Sequence, residues 1–236
     1  MAALSRPSVA ALAHLYTALG SVAGLAAALA AIGGRFREAF LWLAVATLID
    51  ATDGWLARRL RVRERLPGVD GARLDDVVDY VTYVFVPVLV MLEAGLLPAA
   101  GGAWVGAAVL VASAWGFAQA DAKVSRSDYF FTGFPSYWNI VALYLFVWRL
   151  PPAVNAALVV ALAALVFVPI RYVYPSRTRT LRTPTLLLGA AWGALLLVMI
   201  WRLPDTTGPW PALSLAFPAY YLALSLWLHA RDTGTA

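Results

Sequence analysis

The sequence predicts an all-α polytopic membrane protein of about eight transmembrane helices, and three observations carry that expectation. Hydrophobic residues make up 62% of the 236 positions and charged residues only 13%, about half the charged share of a soluble domain. Most uncharged stretches are long enough to cross a hydrocarbon layer, which takes about 20 apolar residues. The basic residues collect in alternate connecting segments instead of spreading along the chain.

The first span is expected at 8–34. It is too long for a signal peptide, lacks a convincing cleavage site, and carries Gly20 and Gly24 in a spacing that lets helices approach closely. Uncharged runs at 95–120, 129–148, 150–170, 183–201 and 206–230 supply five more spans, the one at 129–148 short and rich in tryptophan. Two others are needed, at about 37–60 and 73–97. Only eleven uncharged residues separate Glu38 from Asp50, and only thirteen separate Asp79 from Glu93. Each of these helices must therefore carry aspartates to reach spanning length. The expectation is one integral-membrane catalytic domain over 1–236, with no soluble domain, tandem repeat or long linker.

Arginine sets the orientation. If the N-terminus is cytoplasmic, only Arg35, Arg37, Arg149 and Arg202 of the 18 basic residues fall outside, the bias of the positive-inside rule. An even number of spans then brings the C-terminus back to the cytoplasm. Basic loops on that face would also hold anionic lipid head groups. Without cysteine there are no disulfides and no thiolate metal sites.

The acids are where the chemistry concentrates. At helical spacing Asp50, Asp53, Gly54 and Ala57 share one face of the second helix, and Gly71, Asp75 and Asp79 share one face at the start of the third. Both faces lie at the cytoplasmic edge, joined by an arginine-rich loop. Four carboxylates so close repel one another in a low dielectric unless protonated or neutralised by a cation, and hard divalent ions such as Mg²⁺ take oxygen ligands of this kind. Small residues let something bulky approach the backbone, and Arg58 offers a planar fork suited to phosphate. Together they point to a metal-bound diphosphate.

The pattern Asp50-x2-Asp53-Gly54-x2-Ala57-Arg58, followed by Gly71-x3-Asp75-x3-Asp79, resembles the signature of the CDP-alcohol phosphotransferases. Twelve residues separate Arg58 from Gly71, a longer spacer than the family's usual one, and one that resembles its bacterial phosphatidylcholine synthase branch. The stretches "HLYTALG", "LPGVDGARLDDVVDYVTYVFVP" and "FFTGFPSYWNIVALYL" carry the same likeness, to which the last two helices add little. The resemblance implies a six-helix core plus two extra helices, a homodimer in a bacterial inner membrane, and an active site open to the cytoplasm. It implies transfer of a phosphatidyl group from CDP-diacylglycerol to choline. Asp50, Asp53, Asp75 and Asp79 would hold two Mg²⁺ or Mn²⁺ ions, with Asp79 also the candidate base. Gly54, Ala57, Arg58 and Gly71 would contact the CDP moiety. The expected partners are these substrates, membrane lipids and a second copy of the chain, with no nucleic acid.

Choline bears a permanent charge without N–H donors, so aromatic faces are the expected means of holding it. Tyr83, Tyr137 and Trp138 are candidates for such a cage, with Asn139 to orient a hydroxyl. Asp70, Asp76, Asp121 and Asp128 read as solvated loop-edge charges, Glu93 as an interface residue, and His14 as a satisfied packing residue. Arg177, Arg179 and Arg182 read as a membrane anchor. Two rival functions share these features: the same reaction with serine as acceptor, and a non-enzymatic cation transporter. Transporters tend to place charge near the midplane in repeated halves, whereas these acids cluster at one edge of one helix pair.

Overall fold

The computed structural model describes residues 6–119, 123–125, 129–175 and 177–233; Asp121, Arg126 and Asp128 lie outside them. Among the described residues the helices form eight columns in chain order. They are α1 (Arg6–Ile32), α2 (Phe36–Arg59), a continuous run of α4 (Gly71–Asp79), a π-helical stretch (Tyr80–Phe85) and α5 (Val86–Glu93), then α6 (Gly102–Ala118), α7 (Trp138–Trp148), α8 (Pro152–Leu165), α9 (Arg182–Arg202), and α10 (Trp210–Ser214) leading into α11 (Ala216–Thr233). A single turn, α3 (Val62–Arg65), interrupts the arginine-rich loop. Four columns are long and apolar enough to span a membrane by themselves. α6, α7 and α8 are shorter apolar helices.

The burial pattern is that of a bundle in lipid. α1 buries Ala10, Ala13, Ala23, Ala27, Ala30 and Ala31, while Leu12, Leu15, Leu19, Val22, Leu25 and Leu29 face outward. Lipid is as apolar as leucine, so little is gained by hiding large side chains, and small ones let the helices pack closely. The outward leucines recur at three- and four-residue spacing, which marks one face of α1 as lipid-facing. α1 and α2 form an antiparallel hairpin that turns at Gly34, whose positive φ of 70° suits glycine. Inside, Phe40, Leu43, Val84, Val90, Met91, Val109, Trp138 and Leu143 belong to one core cluster.

The run at 129–148 departs from the expected single helix. Tyr129–Thr132 is β2, the centre of a small antiparallel sheet of order β1-β2-β3, with β1 at Lys123–Ser125 and β3 at Arg171–Val173. Only Trp138–Trp148 is helical. Aromatic residues favour a pleated strand, and Gly133 stops it at a positive φ of 79° with the Val166 carbonyl against its Cα. A side chain there has no room. Pro135 then disfavours a helical residue before it, so the chain regains helix only at Trp138. The span expected at 150–170 likewise ends at Leu165, because the chain turns there to make β3.

A candidate metal and substrate cavity

Close contact between α1 and α4 seats the acidic helix. A Cβ at Gly20 would lie 2.5 Å from Val78 Cγ1, and one at Gly24 would lie 3.1 Å from Val81 Cγ1. The small-residue spacing of α1 is thus used against α4 and its π-helical continuation. At the first residue of α4, a Cβ on Gly71 would meet His14 Cε1 at 2.8 Å. Asp70 caps this helix, accepting from the amides of Ala72 at 3.1 Å and Arg73 at 3.3 Å. It is the loop-edge charge the sequence suggests, with a specific local task. α2 is braced on the other side by a 2.7 Å hydrogen bond between Tyr16 Oη and Thr52 Oγ1.

These contacts bring Asp50, Asp75 and Asp79 together. Each can present a carboxylate oxygen within 4.8 Å of the others, and all three are half-buried. Two carboxylate charges at that separation repel by at least about 3 kcal/mol at an effective dielectric of about 20, more than an exposed ion pair commonly returns. The arrangement calls for concentrated positive charge. Three hard oxygen donors converging at one edge of a cavity suit Mg²⁺ or Mn²⁺, so the donor set fits a divalent ion.

Asp53 stands apart from that group. It is 7% exposed, with the Thr17 hydroxyl and the Arg58 charge nearby. Arg58 folds back over Gly54, its Nη1 3.2 Å from where a Cβ would be. Ala57 is half-buried one turn beyond Asp53.

The acids form one wall of a cavity of about 180 Å³. Asp50, Asp75, Asp76 and Asp79 line one side, so Asp76, expected to be a solvated edge charge, belongs to the site. Much of the remaining lining is aromatic, with Tyr83, Phe117, Phe131, Phe134, Tyr137 and Tyr174. Phe131 of β2 stacks on Tyr174, just after β3, at 4.4 Å between centroids. Tyr83 and Tyr137 approach at 6.2 Å. Tyr221 of α11 donates its hydroxyl to the Val173 carbonyl at 3.0 Å.

Of the four sequence-expected choline residues, the structure brings Tyr83 and Tyr137 to the cavity. Trp138 and Asn139 do not line it. Trp138 is 0% exposed, packs edge-on against Phe134 at 5.2 Å and donates Nε1 to Ser113 Oγ at 2.8 Å. Helical geometry explains the difference, since adjacent residues point about 100° apart and cannot share a face. His14, expected to be satisfied, is packed but leaves Nε2 buried without a hydrogen-bond partner among the described residues. Sequence reasoning missed Phe131 and Tyr174. Their signal was the aromatic, β-prone stretch before Gly133 and after Arg171, which an apolar-run count absorbs into helices.

No family model matches the chain. Individual relatives do. It is 39% identical over 219 residues to the phosphatidylcholine synthase of Bradyrhizobium diazoefficiens, an overlap covering 93% of this chain and 79% of that protein. It is 40% identical over 195 residues to the phosphatidylcholine synthase of Legionella pneumophila, covering 79% of this chain and 76% of the relative. The enzyme of the same name from Pseudomonas aeruginosa is 36% identical over 223 residues, covering 93% of this chain and 91% of its own length.

Proposed function

From the premise that this chain belongs to the phosphatidylcholine synthase family, we propose that it transfers a phosphatidyl group from CDP-diacylglycerol to choline, releasing CMP. It is an integral membrane enzyme of phospholipid synthesis. The observation that carries the reading is the identity to these synthases across most of the chain, together with a cavity lined by both carboxylates and aromatic rings.

Asp50, Asp75 and Asp79 would hold a divalent ion, Mg²⁺ or Mn²⁺, and Asp53, although set apart from them, is the fourth carboxylate of the two-ion site that the motif implies. When bound, such ions neutralise charge on the diphosphate of the donor and on the departing CMP. Gly54, Ala57, Arg58 and Gly71 receive the CDP moiety, Arg58 offering its guanidinium to phosphate. The choline hydroxyl gives its proton to the Asp79 carboxylate as its oxygen attacks the phosphorus. A new O–P bond forms, and the bond to the CMP oxygen breaks. The trimethylammonium lies against the aromatic wall, where Tyr137 and the ring of Tyr83 supply negative π-faces and the nearby acids add attraction. Held this way, the acceptor points its hydroxyl at the acids.

The acid end faces the cytoplasm of a bacterial inner membrane, both chain ends lie on that side, and two copies work as a homodimer. The distribution of arginine supports the orientation. The assignment of activity is tested by giving purified protein CDP-diacylglycerol, Mn²⁺ or Mg²⁺, and labelled choline or serine. CMP release that requires choline and the divalent ion is the expected result. Release driven by serine, or none with choline, overturns it.

A further inference from the structure

Two sets of polar contacts fix α2 at and just before Asp50, a member of the acidic cluster. Tyr83, in the π-helical stretch, directs its hydroxyl to Asp50 Oδ2 at 2.8 Å. Thr47 lies one turn before Asp50 on α2. Thr47 Oγ1 receives a hydrogen bond from Asn139 Nδ2 at 3.2 Å. Asn139 is fixed by its other end, because Oδ1 accepts from the Ile140 amide at 2.9 Å in the first turn of α7. That amide also donates to the Tyr137 carbonyl at 3.1 Å, and its contact with Oδ1 sets the orientation of the Asn139 side-chain amide.

Protons can be assigned in both sets. Tyr83 has one, and the Asp50 carboxylate is the strongest acceptor it meets. Thr47 has one, and the carbonyl of Leu43 takes it at 3.0 Å. Its oxygen is then left as an acceptor toward Asn139. Tyr83 therefore ties the π-helical stretch directly to Asp50 Oδ2, and Asn139 ties α7 to α2 one turn before that acid. π-Helical turns recur at functional sites, and this one carries the tyrosine that reaches the acid.

We infer that Tyr83, Thr47 and Asn139 are positioning residues for the metal site. Tyr83 holds the Asp50 carboxylate through Oδ2, and Asn139 and Thr47 fix the turn of α2 just before it. The inference rests on the metal role proposed for Asp50. It separates two parts of Tyr83 that act differently: the ring faces the cavity and the acceptor, while the hydroxyl serves the carboxylate. It also gives Asn139 a task at a distance from the cavity it does not line. Outer partners of this kind commonly change metal affinity or activity by about 10- to 100-fold when removed.

The test uses the full chain in detergent or nanodiscs, with Mn²⁺ as the probe. Mn²⁺ binding is measured by titration calorimetry or spin resonance on wild type, Tyr83→Phe, Asn139→Ala and Asp50→Asn, beside steady-state kinetics for both substrates. Tyr83→Phe keeps the ring and removes only the hydroxyl. It should weaken Mn²⁺ binding about 10-fold or more, lower turnover at limiting Mn²⁺, and regain much of it at high Mn²⁺, with choline KM at saturating Mn²⁺ within about twofold of wild type. Asn139→Ala should weaken Mn²⁺ binding in the same direction by a smaller factor, since it acts through Thr47. Wild-type Mn²⁺ affinity in Tyr83→Phe, when Asp50→Asn has lost binding, overturns the inference and leaves the metal site standing. Wild-type protein that binds no Mn²⁺ overturns both. A thermal melt without Mn²⁺ identifies a misfolded variant, and Thr47→Val then replaces it, with the same loss of affinity expected and wild-type affinity again overturning the inference.

Discussion

The two walls of the cavity are made in different ways. The acidic wall comes from two helices close in sequence, with Asp50 on α2 and Asp75 and Asp79 on α4, and it is seated by glycine contacts with α1. The aromatic lining is gathered from the π-helical stretch, α6, β2, the segment leading into α7 and the segment after β3. Helical periodicity alone decides which acids share a face. Nothing local decides that Phe131 will meet Tyr174, because that pairing depends on strand register, Phe131 opposite Tyr172 in the ladder. One wall follows from spacing and the other from tertiary assembly, so substitutions should act on them differently.

The acidic wall should show the largest effects. Asp50→Asn, Asp53→Asn or Asp75→Asn should each remove nearly all turnover, a fall of about 10²-fold or more, without unfolding the protein. Removing one of several like charges that crowd together can even raise the melting temperature. Asp79→Asn should cost about 10² to 10⁴ in rate if the residue is the base. In that case CDP-diacylglycerol binding, followed by calorimetry, should largely survive. Chelation should silence the wild type and Mn²⁺ restore it. Half the wild-type rate in any of the first three variants would defeat the two-ion assignment.

Next in size is the seating of that wall. A methyl group at Gly20 lands 2.5 Å from Val78 Cγ1, and overpacking of this kind costs about 1–3 kcal/mol. On α9 the same change at Gly193 meets nothing within 4 Å. There, alanine should be neutral or stabilise by up to about 1 kcal/mol through helix propensity. Gly20→Ala should therefore melt earlier and bind Mn²⁺ more weakly, with Gly193→Ala as its opposite. Equal melting temperatures for the two would mean that α1 does not seat the acids.

This contrast also explains what was legible beforehand. The column count, the acidic motif and the Gly20–Gly24 contact can be read from apolar runs and spacing, because helical geometry converts sequence distance directly into space. Asp76 lines the cavity although its neighbours Asp75 and Asp79 define the motif face, and spacing alone placed it outside. The strand at 129–132 was hidden because an uncharged run does not distinguish helix from strand. Trp138 was misplaced by adjacency to Tyr137. The unpartnered His14 Nε2 and the Tyr83–Asp50 bond are products of packing that no single stretch encodes.

The aromatic wall should respond in the acceptor's affinity. Each cation–π contact is worth about 0.5–2 kcal/mol, so Tyr137→Leu should raise the choline KM severalfold and leave the CDP-diacylglycerol KM nearly unchanged. Tyr137→Phe keeps the ring and loses only the hydroxyl, and should lie between wild type and Leu. The pair sharpens the comparison because no acidic-wall variant should change one KM alone. If Tyr137→Leu changes both KM values equally, the ring is not an acceptor contact.

The smallest effect on the acceptor is expected one residue further on. Trp138 is adjacent to Tyr137 in sequence, equally aromatic, and held on the same turn of α7. A cage inferred from composition would weight the two alike. Its ring is fully buried, however, with Phe134 against its face or edge and its N–H spent on Ser113, which also accepts from Ser136 Oγ at 3.1 Å. Trp138→Phe removes that donor and leaves a void behind the wall. Its cost should appear as stability, about 1–3 kcal/mol from the lost hydrogen bond and imperfect filling. The choline KM of the folded fraction should stay within about twofold of wild type. Kinetics at a temperature below the variant's melting point check this directly. A rise in choline KM as large as that of Tyr137→Leu, with the CDP-diacylglycerol KM unmoved, would place the indole in contact with the acceptor after all and redraw the aromatic wall around α7.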